Sequence, residues 1–244
     1  SPTGSMTLQA DALSGPGNLT VQAAAVIAQP TADLRTGGTG TIDVTAVTGA
    51  ITMSATSASA AGSGDIRVLS NINTVVGDIT TTGNVSITST TGSILDASPL
   101  VSSANDANVD IVASGLRLNA ALAIGDSINH LETTVGTLAV QAGTTVFLLE
   151  TDGLTVGNVG VSVNRVLTTG ATTVVTDAAQ SDVRSTGNIV LRTTTGDLVL
   201  NDGTATADDA AVVAVGGNVL LQALSATGTI TANADVISGT GNVS

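Results

Sequence analysis

One phrase recurs along the chain: a glycine, a small polar residue, apolar residues at alternate positions, then threonines and a second glycine. The stretches from Gly40 to Ile51, Gly83 to Ile94 and Gly187 to Leu198 are copies, each with the same nine-residue step between its glycines. Alternation with period two and β-branched residues marks a strand. A strand-sized unit repeated in this way cannot bury its apolar side alone, so it stacks on its neighbours. The pattern predicts an all-β chain, a right-handed parallel β-helix (solenoid) of short strands with about 20 residues per rung. The hand follows from the preference of parallel crossovers. Two strands per unit then give about eleven rungs and a rod of about 50 Å at ~4.8 Å per rung.

Composition narrows the alternatives. Phe147 is the only aromatic residue among 244, there is no cysteine, and His130 is the only histidine. Aromatic residues supply much of an ordinary core, so Val, Ile, Leu, Ala and Thr must fill this interior, which fits a narrow repeating one. An immunoglobulin-like pair of domains is disfavoured for the same reason. The 42% apolar content, arranged in alternation, sets the chain apart from a disordered one. All cations are arginines (Arg35, Arg67, Arg117, Arg165, Arg184, Arg192), and the net charge is -13. That balance argues against nucleic acid and against anionic lipid. No apolar run approaches the ~18 residues of a membrane helix, and no cationic start precedes an apolar stretch, so neither membrane insertion nor a signal peptide is expected. The lack of cysteine excludes no compartment.

Thirteen short alternating segments recur, among them Leu19 to Val21, Ile66 to Val68, Val109 to Ile111, Val161 to Val163 and Val219 to Leu221. Asp126 to Val135 reads as an irregular turn excursion rather than a helix. Residues 1–5 read as a cloning remnant and 6–244 as a single β-helix domain. That domain reads as a fragment of a longer repetitive chain, because Gly239 to Ser244 opens another copy of the phrase.

Three stretches carry a family likeness: Gly115 to Ala120, Asn129 to Leu138 and Glu150 to Gly157, followed by a Gly-Asn-Ile-x-Leu strand at Gly187 to Leu191. In that order they resemble the haemagglutinin-like repeat region of giant bacterial surface and adhesin proteins. The likeness spans residues 40–244, and His130 stands where the family pattern has proline. The resemblance implies a secreted, surface-attached or filamentous protein built on a right-handed parallel β-helix. It transfers no catalytic or ligand residues.

Several residues invite a chemical reading. Polysaccharide-active β-helix enzymes need paired carboxylates and usually aromatic platforms; here Trp and Tyr are absent and the arginines are scattered. The sequence therefore predicts no enzyme and no catalytic, cofactor or metal residues. Asn105 to Asp110 gathers oxygen-bearing side chains, and Asp208-Asp209 is an acidic pair. Calcium ligation is one reading of both, and turn chemistry, the side chain bonding its own backbone, is the weightier one. Threonine runs (Thr80 to Thr82, Thr88 to Thr91, Thr193 to Thr195, Thr229 to Thr231) raise ice binding, which needs equal rungs, and the glycine steps are unequal. His130 beside Glu132 is a possible proton-transfer pair or ligand, but a lone histidine reads first as a turn or surface residue. Phe147 reads as a core plug. Gly153 and Gly157 lack the strand-to-helix context of a phosphate loop.

The functional expectation is a structural stalk or filament segment of an adhesin-like protein, located at the bacterial cell surface or outside the cell. The alternative is a module that binds a cell-surface glycan or protein beside Ser98 to Asn108 or Asp202 to Asp209, with calcium assisting. Flanking repeats of the same chain are expected partners. Open strand edges at both ends would allow end-to-end self-association of a fragment.

Overall fold

The computed structural model describes residues 4–98, 108–203 and 208–244. Among these residues there is no helix, and almost all pairing is parallel. Among the described residues, the early rungs contain three strands, not the two expected. Leu19–Ala23, Ile27–Gln29 and Leu34–Thr36 form one rung. Ile42–Ala46, Ile51–Met53 and Ala58–Ala60 form the next, and Ile66–Ser70, Thr74–Val76 and Asp78–Thr80 the one after. Leu19 faces Ile42, which faces Ile66; Ile27 faces Ile51, which faces Thr74. Third strands of few and small residues, as in Ala58–Ala60, escape a pattern search, while apolar ones such as Leu198–Leu200 do not.

The second ladder runs from Met6 through Ile27, Ile51, Thr74, Ile94, Ile124, Val146, Ile189 and Val219 to Val243. Its steps are about 20 to 30 residues apart from one longer excursion, within the usual range for stacked repeats. Period-two strands send alternate side chains inward, so each ladder stacks its inward residues into columns. Val21, Val44, Val68, Ile87, Leu118, Val140, Val183 and Val212 form one such buried column. Beside it runs a column of small residues: Ala23, Ala46, Ser70, Ser89, Ala120, Ala142, Ser185 and Ala214. Here the chain bends toward its next strand. The serine hydroxyls donate to carbonyls of that bend, Ser70 to Ile72 (3.0 Å) and Ser185 to Gly187 (2.8 Å), so the polar atoms placed inside are paired.

Turn residues also bind the rungs to one another. Asn18 Oδ1 accepts from the Thr41 N–H (3.0 Å), Asp65 Oδ1 from Asn84 (2.9 Å), Asn73 Oδ1 from Ser93 (3.0 Å) and Asn188 Oδ1 from Asn218 (2.8 Å). Asn and Asp were expected to cap their own turns; these reach the next rung instead. Threonines do the same, with Thr48 donating to Ala24 O (2.7 Å) and Thr91 to Asn71 O (2.6 Å). The glycine that opens the phrase has a steric reason. A methyl on Gly64 would collide with the carbonyl of Gly40, one rung back, so backbones touch where side chains would otherwise separate them.

The long excursion is a hairpin that the sequence reading missed. Val161 to Val163 is not a rung strand: Asn158–Val166 pairs antiparallel with Thr172–Ser181. This hairpin leaves the stack after Leu154–Val156 and lies on the outer surface of earlier rungs. Gln180 donates to Leu118 O (2.9 Å), Arg117 to Ala178 O (3.0 Å), the Asn164 N–H to Thr41 Oγ1 (2.8 Å) and the Val166 N–H to Thr20 Oγ1 (2.9 Å). Val159, Val161 and Val163 of the hairpin's first strand are buried. The chain re-enters the stack at Asp182, a buried residue with φ 64, an unusual conformation for a residue other than glycine.

Beneath the hairpin lies a charge network. Asp43 and Arg67 are register partners on adjacent strands, with Arg67 Nη1 3.1 Å from Asp43 Oδ1. Arg165 of the hairpin places Nε 2.5 Å from Asp43 Oδ2, and Asp177 of the other hairpin strand meets Arg67 Nε at 2.8 Å. Ser86 adds a hydroxyl to Asp177 (2.7 Å). Arginines scattered in sequence thus converge, on partners that the hairpin covers.

Candidate metal centre

A second set of acids has a different environment. The register Ile111 opposite Thr133 puts Asp110 beside Glu132, and Ile79 opposite Ile111 puts Asp78 on the strand before. Acidic side chains therefore follow one another on consecutive rungs, an unfavourable arrangement for uncompensated like charges. Asp96, at the end of Ile94–Asp96, completes a group in which one carboxylate oxygen each from Asp96, Asp110 and Glu132 lies within 4.8 Å of the others. Asp110 and Glu132 are buried and Asp96 partly so.

The backbone fixes this geometry. The Asp110 N–H donates to Glu132 O (3.0 Å), while the Glu132 N–H donates to Asp110 Oδ2 (2.9 Å). Asp126 to Asn129 forms a tight turn closed by reciprocal backbone bonds of 2.8 and 3.2 Å. Asn129, with 6% of its surface exposed, then donates through Nδ2 to Asp96 Oδ2 (2.6 Å) and Ser98 O (3.4 Å). Burial, and next the charge of Asp96, push the Asp110 carboxyl up to about 10. Cavities flank the group. One of about 270 Å³ touches Asp78, Ser98 and Asp110, and one of about 240 Å³ touches Asp96, Asp126 and Asn129.

The expectations for individual residues divide. Asp110, from the acidic stretch Asn105 to Asp110, belongs to the group; Asn105 to Ala107 lie outside the described residues. So do 99–107 of the loop Ser98 to Asn108 and 204–207 of the loop Asp202 to Asp209. Asp208 pairs with Arg184, and Asp209 holds φ 59 with its N–H on Asp202 Oδ2 (3.2 Å). His130 is not a surface residue. It is buried against Phe147 with ring centroids 5.7 Å apart, and burial and then Arg192 hold its pKa below the ordinary value. Phe147 is not a core plug either: Val146 and Leu148 point inward, and Phe147 is half-buried on the outer side beneath His130. The grouping contains Glu132 and not His130, because Glu132 faces Asp110 while His130 stacks on Phe147. The excursion expected over 126–135 ends at Asn129, and Leu131 opens the strand Leu131–Ala142.

Glu150 is a separate buried acid. It accepts from the Thr133 hydroxyl (2.6 Å) and the N–H groups of Val135 (3.1 Å) and Thr151 (3.2 Å). Burial nevertheless pushes its carboxyl up to about 8.

Compared with family models, with curated proteins and with solved structures, the chain gives no match in any of the three. No helix among the described residues is long and apolar enough to cross a membrane.

Proposed function

We propose that the chain is a right-handed parallel β-helix that serves as a non-catalytic stalk or filament segment of a giant secreted or cell-surface bacterial protein of the haemagglutinin-like, adhesin type. The observation that carries this reading is the unbroken second ladder from Met6 to Val243, with its inward residues stacked in continuous columns. A structure of that kind holds its ends a fixed distance apart, and it resists bending because every rung is bonded to the next through backbone and through Asn, Asp and Thr side chains. The right hand rests on the general rule for parallel crossovers, and the family and location rest on the phrases at Gly115 to Ala120, Asn129 to Leu138 and Glu150 to Gly157. Flanking repeats of the same chain are its natural partners, continuing the ladders at the strand edges.

A competing reading makes the chain a binding module for a cell-surface glycan or protein. A screen against glycans and whole cells, with and without calcium, separates the two. The chain has no lysine, so a label on the N-terminal amine leaves the rung surfaces untouched. The spacer reading expects no saturable binding from a folded sample. Saturable binding abolished by changes near Ser98 or Asp202 would replace it with the adhesive one.

A further inference from the structure

We propose that Asp96, Asp110 and Glu132, together with the side-chain oxygen of Asn129, form a calcium site that joins consecutive rungs. Two independent features point there. The first is the charge balance of buried acids. Asp43 is bridged by Arg67 and Arg165, and Asp182 by Arg184, whereas no arginine among the described residues bridges Asp96 or Asp110. Burying carboxylates together without a counter-charge is costly, and the register forces these acids to be neighbours. The second feature involves no charge. Asn129 Oδ1 is buried and accepts no hydrogen bond, although the same amide's nitrogen is held on Asp96. Covalent geometry puts the two ends of an amide about 2.2 Å apart, so this free acceptor sits at the edge of the acidic group. A buried acceptor without a donor calls for a ligand such as an ion.

The chemistry selects the ion. All the donors are oxygens, which suit hard cations rather than zinc or copper. Calcium–oxygen distances are about 2.3–2.6 Å, so ligands across one calcium ion lie about as far apart as the 4.8 Å that bounds this group. The flanking cavities leave room for water to complete the shell. Because Asp96 and Asp110 stand on one rung and Glu132 on the next, the ion would act as a cross-brace. This goes beyond the spacer reading and does not depend on it, since a calcium-braced stack could equally serve adhesion.

The test is equilibrium dialysis of the whole chain against calcium, magnesium and manganese separately, with metal analysis, alongside thermal melts in calcium and in EDTA. The expected result is one calcium per chain, a melting temperature raised by calcium, and at least tenfold weaker binding in Asp110→Asn and Glu132→Gln. Asp235→Asn, at an exposed position, is expected to bind as the parent does. Asp110→Asn keeps an acceptor for the Glu132 N–H (2.9 Å) and is expected to stay folded in EDTA. Absence of stoichiometric calcium from the folded parent would overturn the site, as would undiminished binding in both variants. Preference for magnesium or manganese over calcium would overturn the choice of ion.

Discussion

Replacing Asp43 with alanine is expected to destabilise the fold by about 3–5 kcal/mol and to release the hairpin, the usual effect of removing one partner from a buried ion pair. Asp43 is fully buried and meets two arginines, Arg67 from the neighbouring rung and Arg165 from the hairpin. Without it, Arg67 keeps Asp177 (2.8 Å), but Arg165 keeps only neutral partners on the rungs, Thr45 Oγ1 (3.1 Å) and the Gln22 amide oxygen (3.2 Å). The loss should therefore concentrate in Asn158–Val166 and Thr172–Ser181 rather than spread along the stack. Trypsin reports on this directly, because Arg165 lies inside the hairpin and is accessible to the protease only when that segment opens. Rapid cleavage after Arg165 in the variant, with the remaining arginines protected, is the expected pattern. Cleavage at the parent's rate with an unchanged denaturation midpoint would show that the network does not hold the hairpin.

The second large effect is a pH dependence that Glu150→Gln should flatten. The ordinary value of the carboxyl is 4.5, and burial raises it to about 8 in the fold. Between those values the folded chain keeps a proton that the unfolded chain has released. The contribution of Glu150 is thus fully present below about pH 4.5 and is lost as pH rises through about 8. At about 1.4 kcal/mol per unit, the loss amounts to several kcal/mol by pH 9. Glutamine mimics the protonated acid and can still accept from Thr133 and Val135, so the variant should melt higher than the parent at pH 9 and close to it at pH 5. Asp110, raised from 3.8 to about 10, contributes a slope of the same sign between those values, so the variant keeps that slope and loses the part due to Glu150. The melts belong in EDTA, which keeps cations away from the acids. A parent whose stability is level between pH 5 and 9 would contradict the burial of an isolated Glu150 carboxyl.

The sequence shows the fold more plainly than the site, for a physical reason. Val21, Val44, Val68 and Ile87 each lie in a period-two phrase, and the phrase is local, so the strands and their inward faces can be read one at a time. The same locality hides the hairpin. Val159, Val161 and Val163 alternate as a rung strand does, and alternation does not say which sheet a strand joins. The reversal between the hairpin strands lies at Gly170, with φ 79, and strand length gives no warning, since the rung strands Ile111–Ala120 and Leu131–Ala142 are longer than Asn158–Val166. Small third strands such as Ala58–Ala60 carry too little apolar contrast to register at all. Asp110 stood out within its own acidic stretch, but Asp96 meets it only where their shared rung folds back, and Glu132 only through stacking. Rungs of unequal length prevent that register from being counted off in advance. His130 and Phe147 were misplaced for the related reason that each faces the other across a rung boundary.

The most direct test of the account is the distance between rungs in solution. The chain has no cysteine, so spin labels can be placed through Thr52→Cys with Leu220→Cys, and through Ala28→Cys with Leu220→Cys. Thr52 is connected to Leu220 through Val75, Leu95, the Ile124–Gly125 bridge, Phe147 and Val190 along the second ladder, and Ala28 lies one rung further out. At ~4.8 Å per rung, a rigid stack predicts a narrow distribution near 30 Å for the first pair. The second pair should be longer by about one rung spacing, with an equally narrow peak. Broad distributions, or a second pair no longer than the first, would contradict a rigid stack of parallel rungs and with it the spacer function.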